Sequence, residues 1–171
     1  PKASKNIVII DIDEKSLSEM AGEYGRWPWP RAVFGDFITQ VNQLGAKALV
    51  FDIVFSDPDK FNPKSDATFN AALENAPNVF LPVIRLNEDA DRQSKLRAGQ
   101  ILGLQKLSEQ PADKTIGLVW PAFLPAAVAN GNFGMINLIP ANDGITRDYR
   151  LFTDEGGYRL PSMALKVAED V

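Results

Sequence analysis

The sequence predicts an α/β fold in three layers, with a mostly parallel sheet, crossover helices and a C-terminal antiparallel hairpin. Two short, continuous β-branched runs, NIVIIDI at Asn6 to Ile12 and AKALVFDIVF at Ala46 to Phe55, have the pattern of strands buried on both faces. The stretch between them is long enough for a right-handed crossover, which predicts that the two strands lie parallel and adjacent or nearly so.

In chain order, Asp11 and Asp13 close the first run, and Asp13 stands where an N-cap would accept the free amides of Lys15 or Ser16. A short helix follows. Arg31 to Leu44 reads as a second helix, because Phe34, Phe37, Ile38 and Val41 fall on one face and Gly45 stands as its stop. After the second strand, SDPDKFNPKSD at Ser56 to Asp66 is turn chemistry. A helix is predicted from about Asp66 to Asn75, with Phe69, Ala72, Leu73 and Ala76 facing in.

NVFLPVI at Asn78 to Ile84 reads as a third strand, and Pro82 inside it predicts an edge position or a bulge. Arg85 to Thr115 reads as loop with some helix, and Trp120 to Ala129 as a short helix. Asn132 to Leu138 and Thr146 to Phe152 are expected to pair as a hairpin across PANDG. Leu160 to Val171 reads as a last helix, with Pro161 in its first turn and Ala164, Val167, Ala168 and Val171 facing in.

The 171 residues, 45% hydrophobic and 23% charged, suit one domain spanning 1–171. A formal net charge of −4 with scattered basic residues gives no nucleic-acid footprint. Without His or Cys, imidazole and thiolate metal sites, Cys nucleophiles and Ser-His triads are excluded. No apolar run approaches the roughly 18 residues a membrane span needs. A start at Pro1 and an end at Val171 inside a helical pattern read as the ends of a piece cut from a longer protein.

Chemistry concentrates in carboxylates: Asp11 and Asp13 after the first run, Asp52 in the second, and Asp57 and Asp59 beyond it. Ligands of open α/β sheets bind outside the carboxyl ends of the strands, where a βαβ unit would gather these groups. Two carboxylates about 4 Å apart repel by roughly 4 kcal/mol at an effective dielectric of 20. A raised pKa, a nearby Arg or a divalent cation with oxygen ligands, Mg or Ca held by Asp11, Asp13 and Asp52, would offset that repulsion.

GRWPWPR at Gly25 to Arg31 supplies the Arg. Pro28 and Pro30 stiffen the approach to the second helix and hold Trp27 and Trp29 in fixed directions. One reading makes Trp27 and Arg31 the wall of a ligand pocket over the Asp cluster. The plainer one makes the Trp pair a core cap and Arg31 a partner in an internal ion pair. Asp143-Gly144 reads as hairpin chemistry and Arg147 as a cross-strand partner for a carboxylate. DIDEKS has the DxD of haloacid-dehalogenase-type phosphotransferases but departs from them at Glu14, Lys15 and Ser16.

Taken in order, IVIIDIDEKSL, GRWPWPR, LGAKALVFDIVFSDPD, Gly134-x-x-Asn137, DGITR at Asp143 to Arg147 and LPSMALKVAE resemble a CHASE2 domain, the extracytoplasmic sensory module of bacterial transmembrane receptors. The likeness omits roughly Arg85 to Ala122. It implies a place on the periplasmic or extracellular side of the cytoplasmic membrane, flanking transmembrane helices, a cytoplasmic cyclase or kinase output, and homodimers. It also implies no catalytic activity in the module, and an unidentified small ligand or periplasmic partner. Its signature positions here are Asp11, Asp13, Trp27, Pro28, Arg31, Asp52, Asn137, Asp143 and Arg147, binding a ligand or building the fold. The rivals are a metal-assisted hydrolase on the Asp cluster and a structural or partner-docking module without a small ligand.

Overall fold

A computed structural model describes residues 4–112, 114–138, 140 and 143–171. The chain forms two compact units, one ending at Pro30 and one running from Arg31 to Val171.

In the first unit the predicted strand is absent. Residues 7–12 form no ladder, and Ile7, Val8, Ile9 and Ile10 are exposed. β-Branched residues favour an extended backbone, but a strand exists only where a second strand accepts its hydrogen bonds. The helix that follows, α1 (Glu14–Tyr24), is as predicted: the Asp13 carboxylate accepts from the Ser16 amide at 2.8 Å and from its hydroxyl at 2.7 Å.

The second unit mixes helices with two sheets. Helix α2 (Arg31–Gln43) buries Phe34, Gly35 and Ile38, and Gly45 ends its turn at φ +82°. It packs on α3 (Pro63–Glu74) where Gly35 lets the backbones close, since a Cβ there would lie 3.3 Å from the Thr68 carbonyl. Phe34, Phe51, Phe55 and Phe69 meet edge to face or tilted beneath these helices.

The main sheet centres on β2 (Val79–Arg85). Its parallel neighbours are β1 (Leu49–Val50), all that remains of the long second strand predicted, and β5 (Phe133–Met135). Strand β4 (Leu118–Val119) joins β2 antiparallel. The crossover units are therefore β1-α3-β2 and β2-α5-β5, with α5 at Pro125–Asn130. They are not the unit expected between the first two runs.

Pro82 lies in this central strand, fully buried, and not at an edge. The amides of Leu49 and Phe51 donate to the carbonyls of Asn78 and Phe80, so even-numbered residues of β2 face β1. Leu81 donates to Asn132, and Val83 accepts from Ile136, on the β5 side. Further along the even-numbered side, Leu86 donates to Gly117 beside β4. Pro82 thus faces β1 where its ladder stops: Phe51 still donates to Phe80, but Pro82 has no N–H to continue the ladder, and β4 takes up this side only from Ile84.

The second sheet is antiparallel, with β7 (Tyr158–Pro161) between β3 (Gln105–Lys106) and β6 (Phe152–Glu155). The hairpin expected between Asn132–Leu138 and Thr146–Phe152 does not form: the first run supplies parallel β5, and the real hairpin is β6-β7. Its Gly156 and Gly157 both have positive φ, at +55° and +84°, as a tight two-residue turn requires. Gly144 has positive φ, but among the described residues no non-glycine does, so Asp143-Gly144 lacks that pair. Ala141 and Asn142 of the expected turn lie outside the described residues.

The last helix, α6 (Met163–Asp170), begins after Ser162, whose hydroxyl accepts from the Leu165 amide at 3.2 Å. Pro161 belongs to β7 instead of the first helical turn. The buried face is also rotated from the one expected: Met163 and Lys166 point inward, while Ala164, Ala168 and Val171 are exposed. The region predicted as loop with some helix carries α4 (Glu88–Gln93), a 3₁₀ turn at Ala98–Gln100 and strand β3, and the helix predicted from Trp120 is confined to α5.

Candidate functional site

Among the expected site residues of the first unit, Asp13 is committed to capping α1. The Ser16 amide and hydroxyl hold its carboxyl below the ordinary range. Asp11 is exposed. No strand forms before them, so the βαβ unit expected to gather Asp11 and Asp13 at its strand ends does not exist. Trp27 is 41% exposed and meets Trp29 edge to face, with ring centroids 5.2 Å apart. The Trp27-Pro28 peptide is cis.

In the second unit Arg31 is paired, with partners other than those expected. It donates through Nη1 to Asp66 Oδ1 at 2.7 Å and through Nη2 to the Asp57 carbonyl. Its guanidinium lies 4.9 Å from the Phe123 ring centroid. The other oxygen of Asp66 accepts from the Asp59 amide at 2.7 Å, and Asp59 Oδ1 accepts from the amides of Phe61 and Asn62. Arg31 therefore ties the SDPD loop to the start of α3. Asp52 is exposed. Among the described residues no group of three or more acidic side chains is placed to hold a metal ion.

Asp143 and Arg147 form a two-pronged pair, at 2.9 and 2.7 Å, four residues apart on the exposed surface. The expected cross-strand pairing of Arg147 is replaced by this local one. Arg147 and the Ile145 amide hold the Asp143 carboxyl below its ordinary range.

The rule that ligands meet α/β sheets at the carboxyl ends of parallel strands leads to one residue the sequence reading named, Asn137, and one it passed over, Arg85. Arg85 is the last residue of β2, and Asn137 lies two residues beyond β5. Asn137 accepts the Arg85 amide at 2.7 Å and donates to the Arg85 carbonyl at 2.8 Å. Its side chain thus continues the β2-β5 ladder after β5 has ended, giving this signature position a structural task.

The Arg85 side chain anchors a largely buried charge cluster. Nη2 donates to Asp91 Oδ2 at 2.8 Å, and Asp91 Oδ1 accepts the Gly117 amide at 2.6 Å. Nε and Nη2 both reach Glu155 Oε1, at 3.3 and 3.2 Å, and Lys114 Nζ lies 3.6 Å from Glu155 Oε2. Burial alone would raise the Asp91 carboxyl, but Arg85, the Gly117 amide and Lys114 together hold it below its ordinary range. Burial would likewise lower Arg85, but its bond to Asp91 and the charges of Glu155 and Asp91 raise it. Two sheets meet here, since Arg85 ends β2 and Glu155 ends β6. The sequence did carry a signal: an Arg closing an apolar run, followed within six residues by the acidic segment NEDAD.

Hollows among the described residues of this unit include an apolar one and a cleft. One, about 10 Å³, is walled by apolar side chains including Val83, Trp120, Phe133 and Leu160, and is too small for a ligand. The other, about 200 Å³, is a cleft between the 3₁₀ turn, Pro111 and Tyr158. Among the described residues no helix is long and apolar enough to cross a membrane.

Compared with known proteins, the chain matches the family model described as the CHASE2 domain over residues 1–171, the whole sequence. No curated protein matches it. No solved structure does either.

Proposed function

The chain belongs to the CHASE2 family of extracytoplasmic sensory domains, and from that premise we propose that it is the sensing domain of a bacterial transmembrane receptor. In this reading it lies on the periplasmic side of the cytoplasmic membrane, works as a homodimer, and passes a ligand- or stress-induced change through flanking helices to a cytoplasmic cyclase or kinase. The observation that carries the proposal is the family match along the entire chain. The geometry of the second unit supports it: the Arg85 cluster touches β6, and β6 leads through β7 directly into α6. A sensor must interact differently with its stimulus in its two states, and a charge cluster between two sheets is an element that can have two arrangements. The domain itself is read as non-catalytic.

The test is made in the parent receptor, in bacterial cells. Alkaline phosphatase fused after α6 should be active there, β-galactosidase fused at the same point inactive, and removal of residues 31–171 should change output activity. The reverse pattern of the two reporters would overturn the location. An output indifferent to the deletion would overturn the sensing role.

A further inference from the structure

We propose that Arg85 and Lys114 form a binding site for a small carboxylate, and that Glu155 fills it from within as a tethered stand-in. The two carboxylates on Arg85 are held differently. Asp91 makes short bonds at 2.8 and 2.6 Å, within or below the range of about 2.7–2.9 Å usual for charge-assisted contacts. Glu155 lies at 3.2, 3.3 and 3.6 Å from its three cationic nitrogens. Asp91 is the permanent counterion, and Glu155 is the replaceable one.

The pattern of contacts makes the same distinction. Arg85 directs Nε and Nη2, one edge of its fork, at a single oxygen of Glu155, whose other oxygen is drawn to Lys114. The strongest guanidinium-carboxylate geometry puts one oxygen on each nitrogen. Glu155 is fixed to β6 and does not reach that arrangement, whereas an untethered carboxylate is free to. Exchanging one carboxylate for another also leaves the buried charge balanced, which removing Glu155 alone would not. Lys114, which shares Glu155 with Arg85, is half exposed. Asp154, the acidic neighbour on β6, is engaged with Arg159 and does not compete.

Displacement has a direct route outward. Glu155 ends β6 and precedes the Gly156-Gly157 turn, and β7 runs through Ser162 into α6. Carboxylate binding would release β6 from the main sheet at one end of that path. The signalling consequence rests on the receptor reading above, while the binding site does not.

The test is calorimetric titration of acetate and succinate into the 171-residue chain and its Glu155→Gln variant, at ionic strength held constant with chloride. The variant should bind acetate on the order of tenfold more tightly, and adding Lys114→Met should abolish the gain. Equal affinities, or a gain that survives Lys114→Met, would overturn the proposal. If Glu155→Gln does not fold, hydrogen exchange decides with the unsubstituted chain. Acetate, but not chloride, should speed exchange at Thr153 to Glu155, and identical rates would overturn the site. Failure here leaves the reporter-fusion result untouched, so the two readings fall separately.

Discussion

Arg31 is the residue on which GRWPWPR turns, and its environment is that of a clamp. One guanidinium pairs with Asp66, donates to the Asp57 carbonyl and lies over Phe123, while its own side chain is 18% exposed. Arg31→Ala would leave Asp66, 13% exposed, with the Asp59 amide as its remaining partner among these contacts. Breaking a fully buried pair costs about 3–5 kcal/mol, and the residual exposure here argues for about 2–4 kcal/mol. Arg31→Lys should fall between, because one ammonium cannot serve the carboxylate and the carbonyl while also stacking on the ring. Urea denaturation followed by Trp fluorescence measures both. A loss below about 0.5 kcal/mol, typical of ordinary surface substitutions, would mean that the clamp carries no load and would reopen the ligand-wall reading.

At the scale of elements, legibility divided along the line between local and distant causes. Helix α2 and its Gly45 stop, the Asp13 cap of α1 and the existence of α3 were readable, because each is written within one or two turns of chain. Strand pairing was not. NIVIIDI has the composition of a strand and no ladder, and Pro82 looked like an edge marker because the sequence does not tell that β1 stops and β4 starts on either side of it. Arg85 and Glu155 stand 70 residues apart, so their meeting depends on the same hidden pairing. Gly134 shows what a close approach demands. A Cβ there would lie 2.3 Å from the Met163 Cα at the start of α6, whereas at Gly35 the nearest atom would be 3.3 Å away. Overpacking typically costs about 1–3 kcal/mol. Gly134→Ala should reach or exceed the top of that range and Gly35→Ala stay near its foot. Thermal denaturation of the two variants measures the order, and equal losses would show that α6 shifts off β5 without cost.

For the whole molecule the informative fact is what titrates. The chain has no His and no Cys, so the side chains that ordinarily change charge near neutrality are missing. Among the described residues, every carboxyl with a displaced acidity is displaced downward: Asp13, Asp91, Asp143 and Asp154. A depressed folded-state pKa gives stability that is complete above the unfolded value, about 3.9 for Asp, and is lost as pH falls through the folded value. The unfolded chain binds more protons in that window, so stability should climb with pH from about 2 to 4 and then level off. Urea midpoints measured from pH 2.5 to 8.5 should follow this course, with a plateau flat to within about 1 kcal/mol between pH 6 and 8. Asp91→Asn separates the buried carboxyl from the exposed ones. Against the unsubstituted chain it should lose about 2–4 kcal/mol on the plateau, where it leaves Arg85 short of its closest counter-charge. That difference should narrow below pH 4 as Asp91 itself takes up a proton. A steep change between pH 6 and 8, or a deficit no smaller at pH 2.5 than on the plateau, would mean that the cluster at the end of β2 is not the acid-labile centre of the fold.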